Sequence, residues 1–312
     1  MSRCLLLLNR ASGGNQRGLD AESISQNVEG AFREAGHEIS SIIMEPREVD
    51  VELQRAVDQL PDMILIGGGD GTVSAAARHL GGTKIALGIL PMGTFNLAAR
   101  DLGVPLEMEA AIKFLTTAKI ASIDVLDVSG HSCLCSTILG FYPEYSEFFE
   151  SRDHGGHWWK KTYKLFSGLG SIFMKARPLH LTWQSEETAG KARTKFAGFV
   201  PGRYNDHAGL IPIRTDFRSG KLTAYIGTHE NPLSALRGIL DFSIGRLEQN
   251  SKLEIVKVSQ LSLRAARRKN CRVMLDGEIL QLRFPIEMKI LPNHLNVMTT
   301  AEIVEETLNA TS

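Results

Sequence analysis

Apolar residues in the first 128 positions follow two alternating rhythms. Short unbroken runs stand at residues 5–8, 63–66 and 85–90. Runs of this length, bounded by polar residues and glycine, predict strands buried on both faces. Residues 38–44, with Ile39, Ile42 and Ile43, predict another strand. Elsewhere the spacing lengthens to three and four. Ile24, Val28, Phe32 and Ala35 predict a helix over 19–35, with Gly36 at its C-cap. Leu53, Val57 and Leu60 predict a helix over 51–60 with one packed face, and further helices fall at 73–80, 95–102 and 107–117. This alternation predicts a parallel sheet covered by helices on both faces.

The pattern changes near residue 123. Short strand-like segments follow at 123–128, 179–183, 196–200, 222–227, 253–258, 260–263, 272–275, 279–284 and 286–290. Helical spacing interrupts them at 158–174 and 232–244. An antiparallel β domain with helical insertions fits this order. The expected division is an α/β domain over 1–128 and a β domain over 129–299. The tail from about 300 to 312 is expected to return to the first domain.

The 312 residues are 43% hydrophobic and 22% charged, with a formal net charge of zero. That balance argues against a nucleic acid partner. The four leucines after Arg3 are followed at once by Asn9 and Arg10, so they read as a strand and not as a signal peptide. No stretch reaches the ~18–20 apolar residues of a transmembrane segment. The expectation is a soluble, cytoplasmic protein able to sit peripherally on a membrane. Cys4, Cys133, Cys135 and Cys271 lack zinc-type spacing and read as buried free thiols. Cys133 and Cys135 are expected to face one side of a strand.

The sharpest local signal is Gly67-Gly-Gly-Asp-Gly-Thr72, after an apolar strand and before a helix. Glycines let backbone N–H groups approach a phosphate, and the helix start adds aligned donors. Asp70 is an acid among phosphate donors, which suits a Mg²⁺ travelling with the phosphate. A glycine-rich turn also serves packing alone. The dinucleotide fingerprint fails because Thr72 takes its last glycine position, and Walker A fails because Leu19-Asp20 follows Gly18.

Three more stretches join this turn: Asn9-Arg-Ala-Ser-Gly-Gly14, Leu90-Pro-Met-Gly-Thr-Phe-Asn96 with Ala99-Arg100, and Leu275-Asp-Gly-Glu278. In this order and spacing the chain resembles the catalytic domain of the diacylglycerol kinase and sphingosine kinase family, bacterial lipid kinases included. The resemblance implies an α/β domain similar to NAD kinases and phosphofructokinases, a C-terminal β-sandwich domain, and an active site between them. It implies ATP and Mg²⁺ as cofactors and a lipid substrate at a membrane surface. By position, Asn9, Ser12 and Gly13 would line the nucleotide phosphates. Gly67, Gly68, Gly69, Asp70, Gly71 and Thr72 would wrap them, and Gly93, Thr94 and Asn96 would close the other side. Asp70 would meet the Mg²⁺.

The chain departs from the family in three places. Arg10 stands where proline is usual, Met44-Glu-Pro46 where a threonine usually meets the nucleotide, and Ser219 where an Asp-Gly pair often helps hold a structural Mg²⁺, with Asp216 nearby. Read alone, Asp276-Gly277 is a hairpin turn between apolar strands. The resemblance makes Asp276 and Glu278 catalytic carboxylates, with Glu278 the first choice as proton acceptor and Asp276 close behind. His154 and His157 could be read as a metal pair, but the glycines between them argue against it. Trp158, Trp159 and the lysines beside them suit a membrane interface as well as a packed helix. Arg264 to Lys269 reads as a solvated loop or a contact for anionic lipid. Alternatives to a lipid kinase are a kinase of a soluble acceptor, similar to NAD kinase, and a catalytically silent nucleotide-binding regulator.

Overall fold

The computed structural model describes residues 1–12, 20–141, 175–204, 213–228 and 250–309. Strands β1 (Arg3–Asn9), β2 (Glu38–Met44), β3 (Met63–Gly68) and β4 (Ala86–Pro91) pair in parallel in the order β2-β1-β3-β4. Helices α1 (Ala21–Glu34), α2 (Val49–Asp58), α3 (Asp70–Leu80), α4 (Leu97–Asp101) and α5 (Met108–Leu115) cover them. Alternate residues of β1 face opposite sides. Leu5 and Leu7 pack with Leu53, Val73 and Ala98 of α2, α3 and α4, while Leu6 and Leu8 pack with Val28 and Ile112 of α1 and α5. Leu6, Leu7 and Leu8 are wholly buried. Each contributes about 1.5–3 kcal/mol of transfer free energy.

Three boundaries differ from the sequence pattern. Leu60 lies past the end of α2 at φ 49° and points to solvent, because Pro61 follows and disfavours helical backbone before it. Helix α3 begins at Asp70, so the last three residues of the glycine-rich stretch form its first turn. Helix α4 begins only at Leu97, because Asn96 adopts left-handed backbone, φ 50° and ψ 47°.

The rest of the chain adds β5 (Lys119–Val128), β6 (His131–Cys133), β7 (Thr137–Gly140), β8 (Leu179–Gln184), β9 (Ala189–Thr194), β10 (Phe196–Pro201), β11 (Arg203–Tyr204), β12 (Arg214–Thr215), β13 (Leu222–Gly227), β14 (Leu253–Val258), β15 (Gln260–Ala265), β16 (Asn270–Leu275), β17 (Glu278–Arg283) and β18 (Ile286–Thr299). A six-stranded antiparallel sheet, β14-β13-β10-β7-β16-β17, packs on β15, β8 and the facing halves of β5 and β18. Leu139, Phe199 and Val273 meet Leu181, Trp183 and Leu263 in that β-sandwich core.

The two halves share a sheet. Strand β18 pairs with β15 near its start and in parallel with β4 near its end. Its ladder with β5 shifts register between Leu291 and Leu295. Ile123, Val125, Leu295 and Val297 enter the first core, whereas Leu126, Val128, Met288 and Ile290 enter the second. The last helix, α6 (Ala301–Asn309), lays Ile303 on the first core.

The four cysteines are buried and free, but Cys133 and Cys135 do not share a side. Strand β6 stops at Cys133, which enters the sandwich core, while Cys135 enters the first core. Arg267, Arg268 and Lys269 are exposed between β15 and β16. The expected helices at 158–174 and 232–244, and the histidines at 154 and 157, lie outside the described residues.

Candidate active site

The parallel strands β1, β3 and β4 end side by side, and the loops after them converge. The backbone there is packed too closely for side chains. A Cβ on Gly67 would lie 2.3 Å from Leu8 Cδ2, and one on Gly93 would lie 2.8 Å from the Gly69 Cα. Gly69 is the N-cap of α3 and supplies no side-chain cap. The helix start therefore offers first-turn N–H groups, which suits an anion. Asn9 is turned inward: its Nδ2 donates to Thr72 Oγ1 at 3.0 Å and its Oδ1 accepts from the Ala11 N–H at 3.1 Å. Ser12 Oγ accepts from the Gly69 N–H at 3.3 Å. Gly13 lies outside the described residues.

The loop from Met92 to Asn96 is tied to this turn by Asp70. Its Oδ1 accepts from the Leu97 N–H at 2.6 Å and its Oδ2 from the Asn96 N–H at 3.1 Å. The acid thus caps α4 while sitting in the first turn of α3. Asn96 folds its carboxamide back on Gly93, accepting at 2.7 Å and donating at 2.9 Å. Thr94 and Phe95 are exposed at the tip, and Phe95 keeps half its surface in solvent. Burial pushes the Asp70 carboxyl upward, the two N–H groups pull it back, and the nearby Asp276 charge adds to the rise.

The turn from the β domain stands over this one. Asp276 and Gly277 have φ of 47° and 93°, the two positive values of a tight hairpin turn, with Leu275 opposite Glu278. A Cβ on Gly277 would lie 3.9 Å from Asp70 Cβ, and one on Gly71 would lie 2.3 Å from Glu278 Oε1. Asp276 and Glu278 differ sharply. Asp276 is 3% exposed. Its Oδ2 accepts from the Leu134 N–H at 2.6 Å, and its Oδ1 from Cys135 and Ser136 at 2.8 and 2.9 Å. The Cys133 thiol adds a contact at 3.3 Å. Burial pushes the Asp276 carboxyl upward and these N–H groups oppose the rise. Glu278 is exposed, at the Gly71 side of the cleft.

Residues 3–128 match the diacylglycerol kinase catalytic domain. That stretch is the α/β half of the chain. An uncharacterized protein of Synechocystis sp. is 26% identical over 77% of this chain and 55% of its own length. A protein of Citrobacter koseri named probable lipid kinase YegS-like is 31% identical over 44% of this chain and 45% of its own. The chain spans about half the length of these two relatives. A diacylglycerol kinase of Staphylococcus saprophyticus is 24% identical over 88% of this chain and 89% of its own. In fold, a diacylglycerol kinase structure from Bacillus anthracis covers 97% of this chain at a TM-score of 0.69 and 17% identity, and 98% of that chain is matched.

Two of the departures from the diacylglycerol kinase pattern are neighbours. Arg10 pairs with Glu45 at 3.3 Å and with Glu22 at 3.0 Å, so the arginine and the Met44-Glu-Pro46 segment answer each other across the ends of β1 and β2. The third removes a carboxylate: Asp216 pairs with Arg203 at 2.9 Å. Among the described residues no three His, Cys, Asp or Glu side chains gather for a metal. A Mg²⁺ that arrives with nucleotide needs fewer, since phosphates and waters fill most of its shell. Asp70 is suited to that need: it is a partly exposed acid in the first turn of α3 whose oxygens accept the Leu97 and Asn96 N–H groups.

Sequence reasoning missed the buried polar frame behind these turns. Asp101, Asp124, Arg214 and the backbone of 134–136 all belong to it. Burial pushes the Asp101 carboxyl up to about 7, although the Arg214 N–H and charge oppose the rise. Asp101 follows a recognisable motif by one residue, which was the only local signal available. Arg214 carries none.

Proposed function

We propose that this protein is an ATP-dependent lipid kinase that moves the γ-phosphate of ATP onto a hydroxyl of a membrane lipid. One observation carries the reading: a hairpin turn with an exposed glutamate stands directly over a glycine-rich helix start. Phosphoryl transfer needs donors for the phosphates on one side and a proton acceptor for the nucleophile on the other. The first-turn amides of α3 are suited to the phosphates, while the Gly69 and Gly93 N–H groups are held by Ser12 and Asn96. Asn9, at the end of β1, and Ser12, in the loop after it, brace that turn. Asp70 would hold a Mg²⁺ bound with the nucleotide, and the ion's chemistry there would be to neutralise phosphate charge.

Glu278 is the residue we assign as proton acceptor. Its carboxylate faces the cleft, whereas both oxygens of Asp276 are engaged by backbone N–H groups. As the lipid oxygen bonds to the γ-phosphorus, the bond from phosphorus to the bridging oxygen of ADP breaks, and the hydroxyl proton passes to Glu278. Asp276 holds the turn in place. Two features support a greasy acceptor: the relatives named as lipid kinases and the exposed Phe95 ring on the phosphate loop. No helix among the described residues is long and apolar enough to cross a membrane, so the lipid would be met at a surface.

The test is transfer of label from ATP to a total lipid extract, with the product identified by mass. Glu278→Gln should keep ATP affinity and lower turnover roughly a hundredfold or more. Label passing only to water-soluble alcohols would overturn the lipid assignment. Full activity in Glu278→Gln would remove the proposed base.

A further inference from the structure

The contacts around the cleft close into a ring that crosses both domains. Asp70 holds the start of α4 through the Asn96 and Leu97 N–H groups. Asp101, the last residue of α4, accepts from the Arg214 N–H at 2.9 Å. The Arg214 side chain is 1% exposed. Its Nη1 donates to the Leu134 carbonyl at 2.9 Å and its Nη2 to the Asp124 carbonyl at 2.7 Å. The guanidinium lies over the Phe217 ring, 4.9 Å from its centroid. Leu134 in turn donates its N–H to Asp276, and the Asp276-Gly277-Glu278 turn returns to Asp70 and Gly71.

We propose that Arg214 is a positioning residue for phosphoryl transfer: it fixes the Leu134–Ser136 backbone that grips Asp276, and so sets Glu278 over the glycine-rich turn. The chemistry explains why the residue is arginine. Two carbonyls from separate segments, Asp124 in β5 and Leu134 beyond β6, must be bridged by one planar group with diverging donors. A guanidinium does this, and a lysine ammonium on a single nitrogen does not. A buried cation also needs nearby negative charge. Asp124 supplies it, joined by Asp101 when that carboxyl is ionised, and Asp124 is itself held by the Gly220 and Asn293 N–H groups at 2.7 and 2.9 Å. The ring ties the nucleotide side to the acceptor side through Asp101, Arg214 and Asp276. Catalytic geometry is steep in distance, and misplacement by about 1 Å can cost a hundredfold.

The inference rests on Glu278 being the proton acceptor, and its test separates the two ideas. Arg214→Lys keeps the charge and loses the bridge. Its kcat should fall at least tenfold while KM for ATP stays within about twofold. Arg214→Lys combined with Glu278→Gln should be no slower than Glu278→Gln alone, because a missing carboxylate cannot be misplaced. Multiplying losses would overturn the positioning role. If Glu278→Gln is fully active, the base assignment fails, and amide exchange then judges the ring. Exchange at Leu134, Cys135 and Ser136 should quicken at least tenfold in Arg214→Lys, with α5 unchanged. Unchanged protection at 134–136 would sink the proposal whatever the activity. If Arg214→Lys does not fold, Phe217→Leu, which removes the ring beneath the guanidinium, should show the same exchange pattern and a smaller kcat loss. An unaltered pattern and kcat there would be equally decisive against it.

Discussion

Two turns, one from the α/β half and one from the antiparallel half, each use an aspartate to hold a second segment of chain, and they do it differently. Asp70 grips the two amides that begin α4 and is only partly buried. Asp276 grips three amides and a thiol and is sealed behind the turn it belongs to. Both carboxyls are pushed upward by burial, and both are steadied by N–H donors. On the proposed reading, an acid in such a motif serves either by facing the ligand or by shaping what does. Coordination of the carboxylate, more than its place in the motif, separates the two roles.

The largest expected effect comes from the open acid. Asp70→Asn keeps one acceptor for the α4 start and removes the charge we propose to face the phosphates. Turnover should drop on the order of 10²–10⁴-fold in a protein that stays folded, since preorganised charge supplies much of the rate enhancement in phosphoryl transfer. Near-normal turnover would mean that Asp70 is a clamp like Asp276, and the contrast would collapse. The sealed acid should show itself first in stability. Asp276→Asn turns an amide NH₂ toward N–H donors, and leaving buried donors unmet costs about 2–4 kcal/mol in total. Urea unfolding should reveal it as a lower midpoint, whereas Glu278→Gln, on an exposed side chain, should leave the midpoint alone. Equal midpoints for the two variants would break the distinction between them.

A smaller effect concerns pH. The Asp101 carboxyl is raised from 3.8 to about 7 by burial. Between those values the folded protein holds a proton that the unfolded chain has released. The stability contributed by Asp101 is therefore present below about pH 4 and is lost as pH rises through about 7. Asp101→Asn lacks this dependence. From pH 4 to pH 8 the wild type should lose stability relative to the variant by on the order of 1–3 kcal/mol. Parallel stability curves would show that Asp101 keeps its charge throughout, making the ring a fully ionic one.

Much of the first domain was readable because its signals are local. The leucine run at 5–8 lies buried with alternate faces in separate cores. The turn at Asp276-Gly277 was readable as a hairpin from the residue pair alone, and both residues do adopt positive φ. The start of α3 at Asp70 was harder, because three glycines hide where extended backbone ends. The frame behind the site was not readable at all. Arg214 meets carbonyls 80 and 90 positions away, and carbonyls carry no residue identity. The cysteine pair misled for a related reason. Alternation along a strand was assumed through Cys135, but the strand stops at Cys133 so that the next three amides can turn onto Asp276.

By itself, then, the sequence determined the parallel α/β half, the antiparallel half, the glycine-rich helix start and the Asp-Gly hairpin. Periodicity and turn chemistry act over a few residues, so a few residues suffice to read them. Tertiary structure alone decided that Glu278 faces the cleft while Asp276 is sealed. That choice depends on amides roughly 140 positions away closing around one carboxylate, and on a buried arginine holding those amides still. Contacts between distant backbone groups leave no mark in the order of side chains.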